Sequence, residues 1–299
     1  MSARTVSPAL AFAVAALGIG LFSIMDAFMK SLTLAIGVYN ALFWRSLVSV
    51  GFGAIAWKAG KSGRPTRKAL RLHAMRGGVT TIMALLFFWG LARVPMAQAI
   101  TLSYIAPILA LLLAAVVLGE RVGRRVVVAS VAAFAGVLIV MLGQSRAALG
   151  PQAFEGACAI LVSAVLYAVN LVIARVQAQA ARPGEIAFFQ SMIVVALLGL
   201  AAPWLAAFPP VGEWPKLVIG AGLATASLFA LGWAYAHGDT GYLATTEYTS
   251  FVYAAVLGWA VFGERVSVWT LGGAAVIVAA CLYAARRRDI AQAALEAAA

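Results

Sequence analysis

Apolar stretches of about twenty residues recur along the chain, at 9–32, 37–57, 72–92, 96–118 and 124–143, and again at 154–176, 184–207, 215–236, 240–262 and 266–285. A hydrocarbon layer of ~30 Å is crossed by about twenty helical residues at ~1.5 Å each. None of the stretches alternates apolar with polar positions, as barrel strands of ~10 residues would. Lipid offers no hydrogen bonds, so each backbone N–H and C=O must be paired inside the protein, and a helix does this within one segment. The pattern predicts an all-α polytopic membrane protein with ten transmembrane helices. Turn residues and charge separate the stretches: Lys58 to Arg71, Gly119-Glu120-Arg121, Gly150-Pro151, Arg182-Pro183-Gly184, Pro209-Pro210, Gly238-Asp239 and Gly263-Glu264-Arg265. No connection has the length of a separate soluble domain. The first stretch follows Arg4 as a signal peptide's would, but it runs on through Asp26 and Lys30 without a clear small-residue cleavage site. It is expected to be a retained span.

Composition sharpens this reading. Of 299 residues 64% are apolar and 11% charged, with a mean hydropathy of +0.98. Soluble domains carry about 25% charged residues, so this chain lacks the polar surface to face water on all sides. The net charge of +12 is distributed by side. With the N-terminus in the cytoplasm and ten spans threaded, the cytoplasmic segments hold Arg4, the Lys58–Arg71 group, Arg121, Arg124, Arg125, Arg175, Arg182 and Arg286 to Arg288. The opposite side holds Arg93, Arg146, Lys216 and Arg265. Basic residues collect on cytoplasmic loops, so both termini are expected inside. The pI near 10.3 reflects loops that face anionic lipid, and no nucleic-acid partner is needed to explain it.

The chain also repeats itself. A shift of 144 residues lays Gly119-Glu120-Arg121-Val122 on Gly263-Glu264-Arg265-Val266 and pairs Gly78 with Gly222, Thr81 with Thr225, Trp89 with Trp233, Ala92 with Ala236, Thr101 with Thr245 and Tyr104 with Tyr248. Asp26 falls on Asn170. Each half holds five spans, an odd number, so the halves must insert in opposite senses. Residues 1–147 and 148–288 are thus expected to be two inverted five-helix repeats around a central cavity, followed by a cytoplasmic tail at 289–299. Two such halves can exchange shapes, closing one end of the cavity while opening the other, which is how secondary transporters with inverted repeats work.

Two five-span halves, a Gly-Glu-Arg turn after the fourth span of each, and Met25-Asp26-Ala27-Phe28-Met29-Lys30 late in the first span resemble the drug/metabolite transporter superfamily, and within it the EamA family. In length and span count the chain is similar to bacterial amino-acid exporters of the YddG type. The resemblance covers nearly the whole chain and implies a basket of ten helices, alternating access and a bacterial inner-membrane location. The Met-Asp-Ala segment is also similar to that of members described as S-adenosylmethionine carriers.

Polar residues inside spans cost about 2.5–3.5 kcal/mol each on insertion scales and need a reason. Asp26 and Arg45 lie at matching depths of an antiparallel hairpin; they are expected either to pair as ions, with Lys30 snorkelling outward, or to act on substrate or protons. Glu247, among Thr245, Thr246, Tyr248 and Thr249, either lines a cavity and couples protons or bonds neighbouring hydroxyls near the inner interface. His237 reads as an interfacial residue. Phe22, Trp89, Tyr104, Tyr167, Asn170, Trp233 and Tyr248 are the cavity candidates, offering apolar faces, polar handles and cation–π capacity. Helix packing is the alternative role for each aromatic, and Trp57, Trp204, Trp214 and Trp269 fit the interfacial belts. Pro107 marks a hinge or a static kink in the fourth span.

Cys158 and Cys281 both lie in spans, so neither a disulfide framework nor a metal site is indicated. No phosphate-binding loop, zinc pair or serine elbow is present, and no cofactor is expected. Energy would come from a proton gradient or from the gradient of the substrate itself. A secondary transporter exporting amino acids or related small metabolites by alternating access is the leading expectation. An uptake carrier for S-adenosylmethionine or another metabolite is the alternative within the class. An intramembrane enzyme would need paired catalytic groups, and Asp26, His237 and Glu247 fall at different depths.

Overall fold

The structure, a computed structural model, describes residues 7–60, 65–118, 124–146, 151–178, 180–237, 243 and 245–296. These residues form helices and turns, and no strand occurs among them. The chain runs through α1 (Pro8–Ala59), α2 (Arg67–Leu91), α3 (Met96–Ser103), α4 (Ile105–Leu118), α5 (Arg124–Arg146), α6 (Pro151–Ala178), α7 (Pro183–Gly199), the short α8 (Ala202–Leu205), α9 (Trp214–His237), α10 (Thr249–Phe262) and α11 (Val268–Glu296). Turns of 3₁₀ helix at Val211–Glu213 and Thr245–Tyr248 lead into α9 and α10. By length and apolarity, Pro8–Ala59, Arg67–Leu91, Met96–Leu113, Gln152–Ala174 and Val211–His237 can each cross a membrane, with shorter apolar helices at Val127–Gly143, Pro183–Gly199 and Val268–Tyr283.

At 52 residues α1 would be far longer than a bilayer is thick if it were straight. It is not. Gly37 has φ 79°, ψ 155°, a conformation that glycine adopts without steric cost, and the helix doubles back there. Arg45 Nη1 consequently reaches Met25 Sδ at 3.6 Å, whereas a straight helix would hold those residues ~30 Å apart. Caps begin the elements: Ser7 accepts from the Leu10 N–H ahead of Pro8, and Thr66 accepts from Ala69 N at 3.1 Å. Gly263 ends α10 at φ 66°, in the left-handed cap that sends the Glu264 N–H back to the Gly258 carbonyl. The glycine of this Gly-Glu-Arg turn is there for its backbone.

The break between α3 and α4 falls at Tyr104, three residues before Pro107, whose missing N–H removes the bond that would tie it to the Ser103 carbonyl. The counterpart break, between the Thr245–Tyr248 turn and α10, has no proline. Nonetheless α4 and α10 are both 14 residues long and begin and end at positions 144 apart. The interruption is therefore a property of both halves, and Pro107 is one local way of making it.

Packing depends on small residues. The main seams are α1 against α9 and α7, α2 against α6, and α5 against α11. A Cβ added at Gly90 would lie 2.5 Å from the Gly156 carbonyl, and one at Gly53 would lie 2.8 Å from Phe188 Cα. Such close approach of backbones gives membrane helices their dispersion contacts, because lipid supplies no hydrophobic drive between them. Met25, Met29, Leu32, Leu42, Leu91, Met96, Leu102 and Ile160 fill the interior, while Leu17, Ile55, Val131, Phe134 and Trp259 are exposed on the outside, as lipid-facing side chains should be.

Gly90→Val should lower stability by about 1–3 kcal/mol through overpacking at the α2–α6 seam. Gly78→Ala, at a glycine with nothing within 4 Å of an added Cβ, should stay within about 0.5 kcal/mol of wild type. Thermal unfolding of the purified protein in detergent distinguishes the two.

Candidate functional site

Two polar constellations occupy opposite ends of the helices. At the end where α2 finishes, Lys30 is 4% exposed and ion-pairs with Glu264 Oε1 at 2.5 Å. Its ammonium also donates to the Val94 carbonyl at 2.6 Å. The second oxygen of Glu264 accepts the Met96 N–H at 2.7 Å, capping α3 with a negative charge where a helix dipole favours one. One lysine and one glutamate thus tie α1 to the turn before α3 and to the turn after α10. The expected outward snorkelling of Lys30 does not occur: a partner inside the protein satisfies the charge more completely than the interface would.

Below this knot Asp26 and Arg45 face each other across the arms of α1 and feel each other's charge, but no hydrogen bond joins them. Asp26 Oδ1 and Arg45 Nε are buried without a partner. Arg45 instead lies near Met25 Sδ and over the Phe88 ring, 5.9 Å from its centroid. The ion pair read as one alternative from the sequence is not closed.

Toward the opposite end, α2 and α6 share a continuous hydrogen-bonded ladder. His73, Arg76 and Thr80 follow a three-four spacing that places them on one face of α2, and Tyr167, Asn170 and Gln177 do the same on α6. Arg76 Nε donates to Asn170 Oδ1 at 2.8 Å and its Nη1 to Gln177 Oε1 at 2.7 Å. Gln177 bonds His73 Nδ1 at 2.7 Å, and His73 Nε2 meets Glu185 Oε1 of α7 at 3.0 Å. In the other direction Asn170 Nδ2 and Gln190 Nε2 both donate to Thr80 Oγ1, at 2.7 and 2.8 Å. Arg76 is held by two neutral amides, and among the described residues no carboxylate pairs with it.

A second wall faces this ladder. Glu247 in the Thr245–Tyr248 turn lies close to the Tyr235 hydroxyl, and among the described residues no cation pairs with it. Tyr104, Tyr167, Tyr235 and Tyr248 all lie within reach of its charge. Tyr167 also senses Arg76, so it stands between the two charges. Although its neighbours come from α2, α9 and the turn before α10, Tyr167 is 39% exposed, and Glu247 is exposed as well. Tyr104 and Tyr248 touch edge to face with centroids 5.5 Å apart, and the Tyr104 hydroxyl reaches Ser250 Oγ at 2.8 Å.

Of the sequence candidates, Tyr104, Tyr167, Asn170, Tyr248 and Glu247 are brought together. Trp89 and Trp233 each stack on the residue four positions on. Trp89 lies under the Arg93 guanidinium, 3.6 Å from the ring centroid, and Trp233 stacks on His237 at 4.6 Å. In both pairs the residue four positions on also bonds the tryptophan carbonyl, at 2.8 Å. Phe22 is exposed on α1 and stacks on no other described ring. Trp44 joins Phe208 and Trp214 and donates to the Ala207 carbonyl. His73, Arg76, Gln177, Glu185, Gln190 and Tyr235 were missed. Their signal is the three-four spacing of polar residues within apolar stretches, hidden because Arg76 reads as a span end. Cys158 and Cys281 are free thiols, and among the described residues no cluster of metal-ligating side chains occurs.

Apolar helices packed around internal polar ladders define a multi-pass membrane protein. The chain belongs to the EamA-like transporter family, whose model matches residues 8–142 and again 154–286. It is 26% identical over 270 residues to the pseudopaline exporter CntI of Pseudomonas aeruginosa (strain UCBPP-PA14), covering 89% of this chain and 93% of that one. It is 28% identical over 293 residues to a riboflavin transporter of Rhizobium johnstonii, covering 95% and 92% respectively. A protein crystal structure aligns with a TM-score of 0.61 at 23% identity, over 93% of this chain and 98% of its own, and shares the fold.

Lys30→Met would leave the Glu264 carboxylate without its cation and should cost roughly 3–5 kcal/mol. Lys30→Met combined with Glu264→Gln should be more stable than Lys30→Met alone, because no charge is then left unpaired. Thermal unfolding in detergent measures both, and a double variant no better than the single one would show that the pairing is not what Lys30 supplies.

Proposed function

We propose that this protein is a secondary transporter that exports amino acids or related small metabolites across a bacterial inner membrane by alternating access. The observation that carries the reading is the pair of unneutralised charges that both reach Tyr167: Arg76, held by amides alone, and Glu247, beside the Tyr235 hydroxyl. A guanidinium held only by neutral amides suits a carboxylate, and a carboxylate ringed by tyrosines suits an ammonium group. A zwitterion bridging them would neutralise both at once.

In this reading the chain forms ten spans as two inverted repeats, 1–147 and 148–288, with a tail at 289–299 and both termini cytoplasmic. The family model matching twice, once in each half, supports that division. So do the equal bounds of α4 and α10 and the matching Trp89–Arg93 and Trp233–His237 stacks. The Lys30–Glu264 knot then closes the outer end while the Arg76–Glu247 region faces inward, as an exporter waiting for cargo requires. A second reading within the class is an S-adenosylmethionine carrier: four tyrosines beside Glu247 would accept a flat ring and a sulfonium cation as well as an amino-acid end.

Uptake and efflux of a labelled amino-acid panel with S-adenosylmethionine, in liposomes with and without a pH gradient, tests this. Arg76→Gln and Glu247→Gln should each lower transport efficiency about tenfold to a hundredfold, the worth of one charged hydrogen bond. Arg76→Gln should spare analogues without a carboxylate, and Glu247→Gln should spare those without an amine. Carriage of S-adenosylmethionine with no amino acid moved would replace the exporter reading with the second one.

A further inference from the structure

Arginine can only donate hydrogen bonds, and this fixes the sense of each bond running from Arg76 toward Glu185. Arg76 Nη1 lies 2.7 Å from the Gln177 side chain, so the amide must turn its oxygen to Arg76. The Gln177 amide nitrogen then faces His73 Nδ1, at 2.7 Å, and donates to it. A ring nitrogen that accepts carries no proton, so the single proton of the neutral imidazole is on Nε2, directed at Glu185 Oε1 3.0 Å away. The ring is 1% exposed and stacked on Phe189, with centroids 5.0 Å apart, which holds its orientation. The charged groups around it are Glu185 from α7 and, beyond Gln177, Arg76 from its own helix. From α6 the neighbour is the neutral Gln177, and from α1 it is Trp57, which packs on Phe189.

A second proton, on Nδ1, would point at the amide hydrogens of Gln177. Turning that amide over removes the clash, giving Nδ1–H an oxygen to donate to. The same turn brings the amide NH₂ against a guanidinium that has no acceptor to offer, and Arg76 loses one of its two supports. The contact between His73 Nε2 and Glu185 Oε1 is kept through the change. We propose that His73 is a proton-sensitive positioning residue for Arg76: a proton on His73 Nδ1 turns Gln177 over and releases the guanidinium from it. A substrate anion on Arg76 and a proton on His73 are then thermodynamically linked across Gln177. This rests on reading Arg76 as the group that meets the anionic end of the substrate.

The chain has two histidines, so in a His237→Asn background the imidazole signals of ¹⁵N-histidine-labelled protein belong to His73 alone. The neutral ring should carry its proton on Nε2, with Nδ1 bare. Arg76→Leu should raise the titration midpoint of His73 by about one pH unit more when Gln177 is present than in Gln177→Leu, a tenfold difference in proton affinity. Equal shifts in the two backgrounds would mean that Arg76 acts on the ring by charge alone, and would overturn the proposal. A neutral ring protonated on Nδ1 would overturn it as well, and that observation needs neither Arg76 nor Gln177 to be replaced. The titration does not depend on transport, so absence of amino-acid movement in liposomes, beside an intact coupling through Gln177, would remove the substrate reading and leave this one standing.

Discussion

A bilayer supplies no partner for a polar group, and the organisation of this protein follows from that. Helices satisfy the backbone, so the remaining question is where each buried polar side chain finds its partner. Here the answers differ by end. Lys30 and Glu264 satisfy each other and two backbone groups at a point where three segments meet. Arg76, Asn170, Gln177 and His73 satisfy one another between two parallel faces. Asp26 and Arg45, in contrast, keep buried atoms with no partner at all. The first arrangement makes a rigid joint, the second a hydrogen-bonded wall with one charge left over, and the third a pair with unmet demand.

The class of fold was legible because its signal is collective: long apolar stretches, turn residues between them and lopsided basic loops do not depend on any one contact. The 144-residue shift was equally visible, since a repeat needs only self-comparison. Partners were not legible. Lys30 sits next to a span end, where a lysine ordinarily reaches for the interface. Nothing local to it announces a glutamate 234 residues away. Arg76 is a similar case: a basic residue near the start of an apolar stretch looks like a topology signal until Asn170 and Gln177 are seen opposite. The tyrosines were legible only as polar aromatics inside spans, and composition gave no way to tell that Tyr104 and Tyr248 touch each other while Trp89 and Trp233 stack on Arg93 and His237, four positions on.

The family model matches the chain twice, over 8–142 and 154–286, and the 144-residue shift aligns the two stretches. What differs between the halves is therefore informative. Asp26 has Asn170 as its counterpart, and Lys30 has Ala174. Charge is retained on one side and replaced by an amide or a methyl group on the other. The polar ladder is likewise one-sided, because the position 144 after Arg76 is Gly220 and the one after His73 is Leu217.

Tyr104 and Tyr248 occupy equivalent positions in the two halves and also touch. Two points related by a dyad can meet only on the dyad itself, so under the proposed repeat this contact marks its place. Exchanging the shapes of the halves would map the contact onto itself, with the ring that offers its edge becoming the ring that offers its face. The hydroxyl partner would not survive the exchange: Ser250, which bonds Tyr104, corresponds to Ala106. Under the proposed repeat, the two members of such a conformational pair would differ at this contact by a hydrogen bond that one has and the other lacks.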